Sequence, residues 1–411
     1  MKESCTDGKS RRDFIATMSR LIGAGCVVAT GGGFLLKPGR VLGQTPNVDA
    51  CFDGQCGRRV FGETLPHVRI ARYWEPLPDD RVHCSLCPYN CVLADGERCR
   101  CQAKENSGGV LYDMVYGHVA TMHLDSIEKL PLYHRYPGMT TLALGTAGCG
   151  LHCQYCQNWQ LSQLPPEKTE NFQLTPVEII DLARRHGADA IALAYTEPLT
   201  SYEFSCDIAL AARQAGLKVF MGTGGFAAPE PVRELAALVN GVAFGLKGFS
   251  DSFYDSVIGP GVKLDHILAS LEAFKAAGTH IEIANLVVPT KNDQPEDIRP
   301  LAKYVRTTLG ADTPLHFLKF FPHFQLKQLP PTSQRIMEQA AELARLEGLQ
   351  HVYIGNLPGH SGNNTYCPHC GALAIQRIGF RVLAVNIDSA GRCAECGQPL
   401  TGEFHPSQLT G

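Results

Sequence analysis

From residue 141 onward the chain alternates between two hydrophobic periods. Residues 141–148 form an apolar run ending in glycine. A helix start follows at Thr175-Pro176-Val177-Glu178, with Thr as N-cap, Pro at the first helical position and Glu able to reach back as a capping box. That helix carries Val177, Ile179, Ile180 and Leu182 and ends near Gly187. The pattern then predicts strands over 189–196, 218–223, 241–247, 280–289, 314–321 and 351–355. Helices are predicted between them over 200–216, 229–239, 264–277, 294–309 and 333–348. Such alternation requires a parallel sheet with right-handed crossovers. Six or seven units predict an α/β fold, a partial or complete (β/α) barrel with its functional residues at the C-terminal ends of strands.

The beginning of the chain follows another pattern. Arg11-Arg12-Asp13-Phe14-Ile15 precedes an uncharged stretch over 21–36, 16 residues with five glycines. A basic pair, Phe-Ile and an apolar tract together resemble a Tat-type export signal. The tract is short for a membrane span, which needs about 20 residues. Residues 1–43 are therefore expected to be a signal or anchor, with a cytoplasmic location as the alternative. Residues 44–80, rich in Pro, Gly and charge, are expected to be a linker.

The chain has 411 residues, 44% apolar, with a formal net charge of -3, and no long run of one sign. Nothing in this balance points to a nucleic-acid partner. The 17 cysteines change the picture, because twelve fall in three groups, at 84–101, 149–156 and 367–396. Pairs this close suit metal sites better than a disulfide framework. Cys5, Cys26, Cys51, Cys56 and Cys206 follow no ligand pattern, and Cys206 reads as a packed core thiol.

The central group, Cys149-x3-Cys153-x2-Cys156, directly follows the first barrel strand. One short loop can then wrap three corners of a cubane with four irons. Three thiolates leave one iron open, where S-adenosylmethionine (SAM) would chelate; a zinc ion or a closed structural cluster is the alternative. The C-terminal group, Cys367-x2-Cys370 and Cys393-x2-Cys396, matches a four-cysteine zinc ribbon, with a rubredoxin-like iron as the lesser alternative. The N-terminal group is Cys84, Cys87, Cys91, Cys99 and Cys101, and spacing leaves zinc, an auxiliary Fe–S cluster and disulfides all open.

Several segments in register carry a family resemblance. They are Cys84-x2-Cys87-Pro88-x2-Cys91, the segment from Asp125 to His134, the Cys149 triplet, Tyr195-Thr196-Glu197-Pro198, Leu246-Lys247-Gly248-Phe249, Tyr353-Ile354-Gly355-Asn356 and Thr365-Tyr366-Cys367-Pro368. Over 81–405 the chain resembles the radical SAM component of the AmmeMemoRadiSam system, which is similar to pyruvate formate-lyase activating enzymes. The resemblance implies a partial (β/α) TIM-type barrel over 141–360, a Cys-rich N-terminal module over 81–140 and a zinc-ribbon-like C-terminal module over 361–411. It implies a [4Fe-4S] cluster, SAM, reductive cleavage of SAM, and hydrogen abstraction from a substrate that is not readable. A glycyl-radical activase is one alternative, and a non-catalytic metal-binding protein another.

The expected partners are a reduced flavodoxin- or ferredoxin-type donor and AMMECR and Memo family proteins. By resemblance the N-terminal ligands are Cys84, Cys87, Cys91 and Cys101 rather than Cys99. Glu197 would contact the SAM amino group; a helix-capping acid is the plain alternative. Thr223, Lys247 and Tyr155 join it as cofactor-binding candidates, Lys247 being equally readable as a salt-bridge partner at the barrel mouth. His134, His316 and His323 read as structural. Gly222 and Gly245 stand where relatives have acids that help hold a cation, so little dependence on monovalent ions is expected.

Overall fold

The computed structural model describes residues 59–60 and 69–404. The expected export signal, the first part of the linker and four of the unpatterned cysteines lie outside the described residues. Among the described residues no helix is long and apolar enough to cross a membrane.

The centre is one eight-stranded sheet. Its strands are β1 (Thr121–Ser126), β2 (Thr140–Gly145), β3 (Ala190–Leu193), β4 (Lys218–Thr223), β5 (Gly241–Gly245), β6 (Ile281–Val287), β7 (Leu315–Lys319) and β8 (Val352–Gly355), in that spatial order. From β2 to β8 all pairings are parallel, while β1 pairs antiparallel to β2. This is the expected partial barrel, with seven parallel strands. The antiparallel β1 is an addition from within the segment assigned to the N-terminal module. Helices α1 (Pro176–Arg185), α2 (Tyr202–Gln214), α3 (Pro229–Ala236), α4 (Leu264–Ala276), α5 (Pro295–Tyr304) and α6 (Gln334–Leu346) form the crossovers. The α1 capping box is present: the Glu178 N–H donates to Thr175 Oγ1, and the Thr175 N–H donates to Glu178 Oε2 at 2.7 Å. Ile179, Ile180 and Leu182 are buried, while Val177 faces solvent.

The barrel lumen is lined by small residues. Ala143, Ala192, Gly222, Ala243 and Ala284, from five consecutive parallel strands, border a cavity of about 540 Å³. Barrel interiors usually carry bulky side chains that fill them. Here residues 127–139 supply a separate plug: Ile127, Leu132, Tyr136 and Met139 pack with Ala190, Phe220 and Ala243, and Leu130 leans on them. A Cβ on Gly222 would lie 2.8 Å from Leu130 Cδ1, so the plug explains the glycine there.

Glu282 on β6 anchors the plug. It is fully buried and accepts N–H bonds from Tyr133 (2.9 Å) and His134 (2.8 Å), and ring N–H bonds from His316 (2.8 Å) and His280 (3.0 Å). His134 also meets Thr401 O and Tyr353 Oη, tying the C-terminal module to the barrel. His134 and His316 thus hold structural positions.

Residues 69–80, expected as linker, contain two short strands. Trp74–Leu77 pairs with Arg81–Cys84, which pairs with Cys91–Leu93. Pro76 hides that strand in the sequence, but proline is tolerated on an edge. The module docks through buried Lys104, which ion-pairs with Asp113 at 3.2 Å and with Glu203 on α2. In the C-terminal module Thr365–Tyr366, Leu373–Ile378 and Arg381–Val385 form a sheet over a core that includes Cys367, Cys393 and Phe404.

Candidate active site

The three central cysteines lie on the loop that leaves β2 at the C-terminal mouth of the barrel. That loop is pinned along its length by backbone hydrogen bonds. The Gly148 N–H donates to Leu161 O (2.9 Å), that of Cys149 to Cys101 O (3.0 Å) and that of His152 to Ile258 O (2.9 Å). The Gly150 N–H donates to Thr200 Oγ1 at 3.1 Å. Gly148 has φ +80°, and a Cβ on it would sit 2.5 Å from Cys101 O, so glycine is needed for this approach.

The Cys149 and Cys153 thiols are buried and Cys156 is half-buried. All three interact electrostatically with one another, and Cys149 and Cys153 also face Glu197. Burial pushes the Cys149 thiol well above its ordinary value and that of Cys153 up to about 11, Lys247 opposing the rise at Cys153. Three converging thiols, two of them desolvated and with little cationic compensation, fit the missing positive charge of an iron–sulfur cluster. The Leu151 N–H lies 3.3 Å from Cys149 Sγ, and Ser162 Oγ lies 3.2 Å from Cys156 Sγ, so two of the sulfurs have polar neighbours.

Glu197 follows β3 and is buried beside them. Its Oε1 accepts from Thr223 Oγ1 (2.6 Å) and the Leu199 N–H (3.2 Å), and its Oε2 from the Gly224 N–H (2.8 Å). Burial raises its carboxyl above the usual value, against these bonds and the nearby Lys247. A cation brought beside this carboxylate would be held by a charge-assisted bond. Thr223 thus orients Glu197, and the capping alternative is only a minor part of the acid's bonding. The loop carrying Lys247 is fixed by Asn285 Nδ2 donating to Leu246 O (2.8 Å) and Asn292 Nδ2 donating to Lys247 O (2.7 Å). A Cβ on Gly245 would lie 3.3 Å from Lys247 Nζ, so the lysine head occupies the space that the glycine opens. Tyr155 is buried with its hydroxyl unpartnered, electrostatically close to Cys153 and Cys156.

The lumen wall adds residues that lie in or beside the quoted motifs but were given no role. Tyr195 Oη donates to Asp125 Oδ2, Lys129 Nζ lies 2.9 Å from both Asp125 oxygens, and His123 packs edge-on against the Tyr195 ring. Asn158 Nδ2 donates to Tyr195 O (2.7 Å), joining the cysteine loop to this wall. Only the adjacency of Asn158 to Cys156 could have signalled it. The His323 ring accepts from the Phe324 N–H, at the start of a segment whose Gln325 N–H donates to Gln154 O (2.9 Å) of the cysteine loop.

The other cysteine groups differ in spacing. Cys367 and Cys396 sulfurs are 3.7 Å apart, Cys370 and Cys393 3.8 Å, and all four lie within 4.8 Å of one another. A tetrahedral ion with bonds of about 2.3 Å separates its thiolates by about 3.8 Å. In the N-terminal group Cys84 and Cys91 are opposite each other across a ladder, and the Cys99 thiol contacts those of Cys84, Cys91 and Cys101. Cys87 interacts electrostatically with Cys101, Cys84 and Cys91. Every described cysteine is a free thiol.

Comparison with known proteins agrees with this geometry. Residues 144–305 match the radical SAM superfamily model. Uncharacterized protein MJ0808 of Methanocaldococcus jannaschii is 41% identical over 334 residues, 81% of this chain and 99% of that protein. The pyruvate formate-lyase-activating enzyme of Clostridium pasteurianum is 26% identical over 196 residues, 46% of this chain and 78% of that one. With its cysteine triplet on the first parallel strand's loop and a full-length relative at this identity, the chain belongs to the MJ0808 family and is a radical SAM enzyme.

Proposed function

We propose that the protein cleaves SAM reductively at the Cys149, Cys153 and Cys156 loop and uses the product to take a hydrogen atom from a substrate held in the barrel lumen. The observation that carries this reading is the convergence of the three thiols with Glu197, which bonds to Thr223 and Gly224 of the cavity wall. When bound, the cluster and SAM supply reductive cleavage of the sulfonium S–C5′ bond and the hydrogen abstraction that follows. The chain's own part is orientation. Thr223, Leu199 and Gly224 hold the Glu197 carboxylate toward the SAM ammonium, and the pinned loops keep water out. Asp125, Lys129 and Tyr195 offer a polar wall to the substrate. A low-potential flavodoxin- or ferredoxin-type protein is the proposed donor, and AMMECR and Memo family proteins are proposed partners. The test is anaerobic reconstitution with iron and sulfide, then dithionite and SAM. Formation of 5′-deoxyadenosine and methionine in equal amounts supports the reading, and their absence from protein with an intact cluster refutes it.

A second reading, activation of a glycyl-radical enzyme, is favoured by similarity to the Clostridium activating enzyme. A glycyl radical appearing on a co-purifying protein would select it.

Glu197→Gln is expected to weaken SAM binding by roughly 10- to 100-fold, the loss of one charge-assisted bond. Calorimetric titration of reconstituted protein checks this, with iron content unchanged.

We also propose zinc at Cys367, Cys370, Cys393 and Cys396, as a closed site that serves folding. Cys370→Ser is expected to lose one zinc per chain and to lower the unfolding midpoint, while 5′-deoxyadenosine formation stays near wild type. Elemental analysis with a thermal melt decides.

A further inference from the structure

The N-terminal cysteines converge from a hairpin and a turn. Cys84 and Cys91 stand opposite each other on paired strands. Cys99 and Cys101 lie on a turn in which the Gln102 N–H donates to Cys99 O (2.9 Å) and the Cys99 N–H to Lys104 O (2.8 Å). Turn and hairpin meet at sulfur. The Arg100 N–H donates to Cys91 Sγ, and the Cys99 thiol contacts those of Cys84, Cys91 and Cys101. In the C-terminal group Cys370 makes the same contacts with Cys367, Cys393 and Cys396. The backbone support matches as well. The Leu86 and Ala103 N–H groups donate to the sulfurs of Cys84 and Cys101, two residues back, as those of Ala372 and Gln398 do for Cys370 and Cys396. Such bonds favour the charged thiolate that a metal takes. Five thiols are one more than a tetrahedral ion binds, and the contacts single out the extra one. Cys87 has the Tyr89 N–H beside its sulfur, but it faces Cys84, Cys91 and Cys101 at electrostatic range, without the thiol contacts that Cys99 makes. Cys84, Cys99 and Cys101 are buried and Cys91 is half-buried, as suits a closed site.

We propose that Cys84, Cys91, Cys99 and Cys101 hold one zinc ion, with Cys87 outside the ligand set, and that this ion braces the active-site loop. The ligand set differs from the one that the family resemblance implies, with Cys99 in the place of Cys87. Among the described residues the set whose four sulfurs all lie within 4.8 Å of one another is the C-terminal one, so at the N-terminal site zinc draws Cys84, Cys91 and Cys101 in around Cys99. The brace runs through Cys101. Its carbonyl accepts the Cys149 N–H at 3.0 Å and lies 2.5 Å from where a Cβ on Gly148 would stand, so fixing Cys101 fixes the start of the loop. The ion takes no part in the chemistry proposed above, so this site and that reading fail separately.

Full-length C99A and C87A test the ligand set. Elemental analysis should show C99A with about one zinc per chain fewer than wild type, and C87A with none lost. Zinc kept in C99A, zinc lost from C87A, or iron lost from C99A in place of zinc each overturn the proposal. Hydrogen exchange followed by mass spectrometry tests the brace. Peptides covering 145–156 should exchange faster in C99A than in wild type, and at the wild-type rate in C87A. Unchanged exchange in zinc-depleted C99A overturns the brace. Should C99A fail to fold, cobalt loaded in place of zinc decides: C87A should give the visible absorption of a four-thiolate site with the same intensity as wild type, and a weaker band overturns the ligand set.

Discussion

Alanine at Cys149, Cys153 or Cys156 is expected to reduce 5′-deoxyadenosine formation to the level of a protein-free blank. Each thiolate would hold a different iron corner, and the pinned loop offers no spare sulfur: the polar neighbours at hand are Ser162 Oγ beside Cys156 and the Leu151 N–H beside Cys149. A hydroxyl is a poor ligand for such a cluster, so neither neighbour restores the site. The fold should survive, because the barrel sheet and the Glu282 anchor do not depend on the loop. Circular dichroism and melting near wild type, with iron lost from the triplet, separate this outcome from unfolding. A variant that retains cleavage at a tenth of wild type or more would show that the three thiols are not the ligands.

The largest stability effect is expected at Glu282. Its carboxylate is fully buried and satisfies two backbone N–H groups of the plug and two histidine rings. Burial opposes its ionisation, but the bonds from His280 and His316 outweigh that, and the carboxyl is held well below its ordinary value. Glu282→Ala strands four donors at once, three of them buried, and is expected to cost roughly 3–5 kcal/mol, the scale for removing one partner of a buried charged cluster. A depressed carboxyl contributes stability above its unfolded value and loses it as pH falls through the lower folded value. The difference between wild type and Glu282→Gln should therefore be full near neutrality and shrink only in strong acid. Denaturant melts at a series of pH values check both magnitude and sign. A constant difference down to the most acid pH would mean that the charge at Glu282 is not what stabilises the fold.

Much of the barrel was legible because its strands are buried on both faces and so read as continuous apolar runs, as in Ala190–Leu193. Helix α1 was legible because its cap is local chemistry. Strand β1 was not: Thr-Met-His-Leu-Asp-Ser mixes lumen-facing polar residues with buried ones, and its partner β2 lies across the plug. The cysteine groups were visible as spacing, yet spacing could not tell that Cys99 would contact three other thiols, or that Cys101 would touch the Cys149 loop. The first depends on the ladder that sets Cys84 opposite Cys91, and the second on two segments distant in the chain meeting in space. Gly222 read as a missing ligand in the sequence; in the fold it is also the clearance that Leu130 needs. Asp125, Lys129 and Tyr195 lay inside quoted motifs, but that they form one wall was not readable, since β1, the plug and the loop after β3 meet only in the fold.

The central claim is that the Cys149, Cys153 and Cys156 cluster keeps an iron open for SAM. It is tested most directly by recording the electron paramagnetic resonance spectrum of the reduced, reconstituted protein before and after SAM is added. The expected result is a shifted spectrum with SAM, and a much weaker shift at the same SAM concentration when Glu197→Gln is added. A spectrum unchanged by saturating SAM would contradict the account.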